Sequence, residues 1–190
     1  MKKLILWTKI FVICILVLNT FASKGNIVKA EPLDTEPDSV SVFNNDGNSI
    51  YIDKSDIELM ARVVYGESRG EPYEGKVAVA SVILNRVKSG KYPPSVKAVI
   101  TQENAFSCVS NGTISVTPND SCYDAVYDAL KGNDPTGNAL FFYNPSISTC
   151  SWMENTVKKN ATSIGNHVFF SIYIYSRLRQ YYNIYLNIQK

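Results

Sequence analysis

A single histidine, His167, stands in a chain of 190 residues, and that scarcity removes a good deal of chemistry. Catalytic zinc usually takes at least two histidines, so a zinc amidase or zinc peptidase of the ordinary kind is disfavoured. A Ser-His-acid or Cys-His site would have to use His167, with Cys108, Cys122 or Cys150 as the nucleophile in the cysteine version. Beside Val168 and Phe169, His167 reads more simply as a half-buried structural residue. A glycine-rich phosphate loop is also missing. So is any cluster of Lys and Arg that would mark a nucleic-acid surface. No metal or cofactor is expected.

Long apolar runs are lacking as well. The longest, Ile10–Leu18, follows a basic lead of Lys2, Lys3 and Lys9 and precedes small-residue cleavage sites at Ala22 and Ala30. It is short for a hydrocarbon core about 30 Å thick, and the three-part pattern is that of a secretory signal peptide over residues 1–30. No stable membrane anchor is expected after its removal. The first thirty residues hold five lysines and no acid, so the balance of 19 basic against 17 acidic residues becomes 14 against 17 without them. The apparent basicity belongs to the export signal. Cysteine is scarce too: Cys108, Cys122 and Cys150 remain after the leader, enough for one disulfide and a free thiol, or for none. A core, rather than a disulfide framework, has to stabilise the chain.

Residues 31–54 carry Pro32, Pro37 and many Asp, Ser and Asn, and read as a linker. Order is expected from Ser55-Asp56-Ile57-Glu58, a capping box, into a helix of about ten residues bearing Ile57, Met60, Ala61 and Val64 at helical spacing. Gly66 is expected to stop it, with Glu67 just beyond. Pro72 opens a second helix through Val77–Leu84, apolar on nearly every side and therefore central. A short helix is expected over Ser95–Thr101. Phe106–Val109 and Thr113–Val116 flank Asn111-Gly112, the strongest short hairpin signal. Cys122, Ala125, Val126, Ala129 and Leu130 mark the core stripe of a further helix, and Ala139–Tyr143 and His167–Phe170 read as strands. Residues 171–190 hold five tyrosines and no acid, a composition unlike the rest, and admit several readings.

With histidine, metal and phosphate chemistry set aside, carboxylates remain. Glu67, Glu71 and Glu74 fall within eight residues, separated by Gly70 and closed by Gly75. A carboxyl works as a general acid near neutral pH when partial burial disfavours its charged form. Glu67 sits where an anchored helix ends, beside the negative end of the helix dipole. Glu71 and Glu74 stand at the start of the next helix. There Glu74 is most simply a helix-start charge, and Glu71 a cap or a partner of Arg69.

The stretch Ala61-Arg62-Val63-Val64-Tyr65-Gly66-Glu67-Ser68-Arg69-Gly70-Glu71-Pro72-Tyr73-Glu74-Gly75-Lys76-Val77-Ala78-Val79-Ala80 carries a resemblance, together with Val82–Val87 and Phe106-Ser107 with Asn111-Gly112. So do Asp134–Leu140, Tyr143-Asn144-Pro145 and Ile164–Phe169. Over some 115 residues, from Asp56 to Phe170, the chain resembles the catalytic domain of the SleB/CwlJ family of cell-wall hydrolases, the spore cortex-lytic enzymes. The resemblance implies a catalytic domain over 55–170. Its expected fold is α+β and mainly helical, lysozyme-like and similar to resuscitation-promoting factors, with a small β-sheet beside a groove. It implies glycan strands of peptidoglycan as partner, in the cell wall or the spore cortex and coat region.

It also implies Glu67, the first glutamate of Gly-Glu-x-Arg-Gly-Glu, as general acid and base, with Glu71 as alternative or support. Phe106, Tyr143 and Asn144 are the expected groove residues, the rings stacking on sugars and the amide bonding an N-acetyl group. A lytic transglycosylase needs one carboxyl. A hydrolase would need a second, for which Glu71, Glu103 and Asp120 are candidates. Amidase activity, a label attached to this family, and a wall-binding module without catalysis are the competing readings. Two features depart from the family pattern: residues 31–54 are too short for a separate peptidoglycan-binding domain, and the tail after Phe170 has no counterpart.

Overall fold

The computed structural model describes residues 39–43 and 47–172; the expectations for residues 1–30 and for 173–190 lie outside them. The first element is a two-stranded antiparallel hairpin, β1 (Ser39–Phe43) and β2 (Ser49–Asp53), with Ser39 opposite Asp53 and Phe43 opposite Ser49. It occupies the stretch read as linker. Its strands alternate apolar and polar residues, so Ile52 is fully buried while Tyr51 points outward. The polar half of that alternation hid the strands within a Ser- and Asp-rich composition.

Helix α1 (Lys54–Ser68) follows β2 without a break. Its cap is therefore Asp53, whose carboxylate accepts from the Asp56 N–H at 2.9 Å and from the Ser55 hydroxyl. The expected Ser55/Glu58 capping box does not form. Glu58 instead accepts from Arg62 Nε at 2.8 Å and from the Tyr123 hydroxyl. The helix is also longer than predicted, passing through Gly66 and taking Glu67 into its last turn. Ile57, Met60, Ala61, Val63 and Val64 face the core.

Helix α2 (Tyr73–Lys88) is buried almost all round from Val77 to Val87, as its sequence predicts, and packs against α1, α3 (Val96–Ile100) and α4 (Asp120–Leu130). Cys122, Ala125, Val126 and Ala129 line the inner face of α4. After the short α5 (Ser151–Asn155), the second sheet has the order β3-β5-β4, all antiparallel: β3 is Phe141–Tyr143, β4 is Lys158–Ile164 and β5 is His167–Ile172. Strand β4, Lys-Lys-Asn-Ala-Thr-Ser-Ile, was not predictable, because Ile164 is its only buried residue.

The sheet has two differently used faces. Phe142 and Phe169 stack at 5.5 Å toward the helices, with Phe106 at 6.3 Å from Phe142. Phe141, Tyr143 and Phe170 join Trp152 in a smaller cluster on the other face. The result is the mixed, mainly helical α+β fold expected from sequence. Among the described residues, no helix is long and apolar enough to cross a membrane.

Candidate active site

Two glutamates flank the α1–α2 junction, and each is held by a different distant segment. Glu67 projects from the last turn of α1 and is half-buried. Its Oε1 accepts from the Cys108 backbone N–H at 2.9 Å. The exposed Ser107 hydroxyl lies 3.0 and 3.2 Å from its two oxygens. The carboxylate is thus fixed by loop 106–109 while remaining at the surface.

That loop is where the predicted hairpin strands would lie. Asn111 and Gly112 do make a tight turn, with φ of 50° and 73°, closed by two Ser110–Thr113 backbone bonds. The flanks do not pair further, because their backbone groups are used elsewhere. Cys108 N–H goes to Glu67 and Val109 N–H to the Phe106 carbonyl. Arg62 donates to the carbonyls of Ile114 and Val116.

The Glu71 side chain is 8% exposed. Its oxygens accept from the Asn166 backbone N–H at 2.8 Å and the Asn166 amide at 3.1 Å, with His167 Nδ1 3.7 Å away. Burial alone would push this carboxyl up. The two Asn166 donors and the neighbouring His167 outweigh it and hold the carboxyl below the usual glutamate range. Gly165 makes the approach possible: its φ is 58°, and a Cβ there would land on Glu71 Oε2. Glu71 therefore ties the β4–β5 turn to the α1–α2 junction. Glu74 sits in the first turn of α2, the helix-start position expected of it.

Phe106 is 4% exposed, its ring under the Arg86 guanidinium at 4.9 Å, so it belongs to the core and has no free face for a sugar. Arg86 also donates to the carbonyls of Leu140 and Ala105, joining the sheet to loop 106–109. Tyr143 lies on the opposite sheet face, 5.2 Å from Lys158 Nζ. The Asn144 amide oxygen closes its own turn by accepting from Ser146 N–H. Phe106 stands beside the Ser107 and Cys108 donors of Glu67 but is buried, while Tyr143 and Asn144 make the contacts just described. Glu103 and Asp120 are exposed, in the turn after α3 and at the start of α4.

His167 is buried against Phe142 and Phe169, and its Nδ1 makes no hydrogen bond. Cys108, Cys122 and Cys150 are all unpaired. Burial, with the Glu67 carboxylate alongside, pushes the Cys108 thiol up to about 12, so it stays protonated and is no nucleophile at neutral pH. The described residues contain no group of three or more His, Cys, Asp or Glu arranged to hold a metal.

The contacts to Glu67 that sequence reasoning missed are those of Ser107 and the Cys108 N–H. Their signal was the Phe106-Ser107 block, in which Phe106 was assigned to the groove and Ser107 had no role.

Glu67 is thus a carboxylate fixed at the end of a buried helix in a mainly helical domain with a small sheet. The chain belongs to the cell wall hydrolase family, matching it over residues 70–170. That match covers just over half of the 190 residues and opens three residues after Glu67.

Among curated proteins, the chain is 51% identical over 116 residues to a spore cortex-lytic enzyme of Bacillus cereus. It is 46% identical over 115 residues to that of Bacillus subtilis, and 27% identical over 97 residues to cell wall hydrolase CwlJ of Bacillus subtilis. These alignments take in 61%, 60% and 48% of this chain. They take in 44%, 37% and 68% of the relatives, so the chain spans less than half the length of both spore cortex-lytic enzymes.

Two solved structures share the fold. One is the catalytic domain of the Bacillus cereus SleB protein, with TM-score 0.56 and 50% identity over 62% of this chain and 91% of that one. The other is the catalytic domain of the germination-specific lytic transglycosylase SleB from Bacillus anthracis, with TM-score 0.57 and 49% identity over 62% and 95%.

Proposed function

We propose that this chain is a peptidoglycan lytic transglycosylase, acting outside the cell on wall or cortex glycan, with Glu67 as its acid and base. The observation that carries the reading is the Glu67 carboxylate itself. It is half-buried, fixed by Ser107 and Cys108, and exposed on one side in a fold shared with SleB catalytic domains. One SleB structure is named as a lytic transglycosylase, which supports the chemistry.

In that reaction protonated Glu67 donates to the glycosidic oxygen between N-acetylmuramic acid and N-acetylglucosamine. The C1–O bond breaks and the N-acetylglucosamine end leaves with the proton. Glu67, now a carboxylate, takes the proton of the muramyl C6 hydroxyl as its oxygen bonds to C1. The product is a 1,6-anhydro sugar and Glu67 is protonated again. No water is consumed and no second carboxylate acts. Glu71 serves as a strut rather than an acid, because its oxygens are occupied by Asn166. Phe106, Tyr143 and Asn144 take no part in the chemical step.

Product masses from digested cortex and vegetative peptidoglycan test the reading. Anhydro-muropeptides are expected from the wild type, and none from Glu67→Gln. Reducing sugar ends would make the enzyme a hydrolase, and freed stem peptides an amidase. Unchanged peptidoglycan would leave a wall-binding module.

A further inference from the structure

Gly66 precedes Glu67 in the last turn of α1 and has no turn to make. It stays within a regular helix, where alanine is the better former. What its missing side chain allows is an approach. A Cβ at Gly66 would come 2.5 Å from Cys108 Cβ and 2.9 Å from Cys108 Sγ, whereas the next atom, Cys108 Cα, is 4.0 Å away. The Cys108 side chain therefore rests directly on the helix backbone at residue 66. The same residue's N–H reaches Glu67 Oε1 at 2.9 Å, and Ser107 reaches both oxygens.

We propose that Gly66 and Cys108 form a matched steric pair that sets loop 106–109 at the height where its two donors meet the Glu67 carboxylate. Gly66 is then a positioning residue for glycan cleavage, acting through Cys108 and Glu67 without touching substrate. This inference rests on the reading of Glu67 as the proton donor. It explains why a glycine stands at a helical position whose φ does not call for one. It also explains why Cys108, a protonated thiol with no partner cysteine, is enclosed there: it is the knob that the glycine receives.

Alanine at position 66 would push the loop back by about 1 Å to restore an ordinary carbon–carbon contact. The 2.9 Å bond from Cys108 N–H would then stretch beyond hydrogen-bonding range. Misplacing a catalytic group on that scale lowers turnover by about 100-fold. Removing the Cys108 side chain should cancel the effect, because the nearest remaining atom is the α-carbon at 4.0 Å.

The test uses the full chain as wild type, Gly66→Ala, Cys108→Gly and the double variant, with kcat and KM measured on soluble glycan fragments. The amide proton of residue 108 is followed by NMR in each. Gly66→Ala is expected to lower kcat by about 100-fold with KM little changed, and to move the residue-108 amide signal away from its carboxylate-bonded position. In the Cys108→Gly background the same change should alter kcat by no more than about twofold and leave the amide signal in place.

Equal losses in both backgrounds, or a Gly66→Ala enzyme with wild-type kcat, would overturn the pairing. If Gly66→Ala does not fold, comparison of the double variant with Cys108→Gly still decides, since a double variant that also fails to fold refutes the pairing. Turnover by Glu67→Gln would instead remove the parent reading, and the amide signals would then judge the steric pair alone.

Discussion

Glu67 and Glu71 are four residues apart, and each accepts one backbone N–H and one side-chain donor from a segment remote in sequence. What separates them is the nature of the side-chain donor. Glu67 meets an exposed serine hydroxyl, a group that can donate or accept and so suits a carboxyl that gains and loses a proton. Glu71 meets Asn166 twice in a site where its side chain is 8% exposed, with His167 close by. Similar hydrogen-bond counts accompany both the acid proposed at Glu67 and the anion held at Glu71.

The comparison can be broken first at the Glu71 end. Gly165→Ala places a Cβ against Glu71 Oε2 at a φ of 58°. It should lower stability by about 3 kcal/mol, from left-handed backbone strain and displaced hydrogen bonds together, read by urea denaturation. Glu71→Gln keeps the shape but loses the charge, and should cost about 2 kcal/mol in the same assay.

A pH series then sharpens the point. The folded Glu71 carboxyl titrates below its unfolded value. Its stabilisation is therefore present above the ordinary glutamate range and disappears as pH falls through the folded value. The stability gap between wild type and Glu71→Gln should close in acid, and a gap that widened there would reverse the assignment. Ser95→Ala serves as a control away from both glutamates. It removes the cap that accepts from Ala98 N–H, should cost about 1 kcal/mol, and should leave that pH dependence unchanged.

Much of this was legible in the sequence where local pattern and burial agree. The all-round apolar run of α2 announced a central helix, and the Cys122-Ala125-Val126-Ala129 stripe announced the inner face of α4. The Gly-Glu-x-Arg-Gly-Glu run marked the α1–α2 junction where the proposed site lies. Strand β4 was hidden because six of its seven residues are polar or small and only Ile164 turns inward. The β1–β2 hairpin was masked by its serines and aspartate. Gly66 read as a helix stop because its actual reason, Cys108, lies 42 residues away. The sequence separated the proposed roles of Glu67 and Glu71, but the contacts behind that division were out of reach, since Ser107, Cys108 and Asn166 meet the two carboxylates across 40, 41 and 95 residues.

The most direct test of that division measures turnover of peptidoglycan and melting temperature together for Glu67→Gln and Glu71→Gln, with turnover read well below both melting points. Glu67→Gln should lose turnover while melting close to wild type, and Glu71→Gln should melt earlier yet still release anhydro-muropeptides. A folded Glu71→Gln without activity, alongside an active Glu67→Gln, would contradict the account.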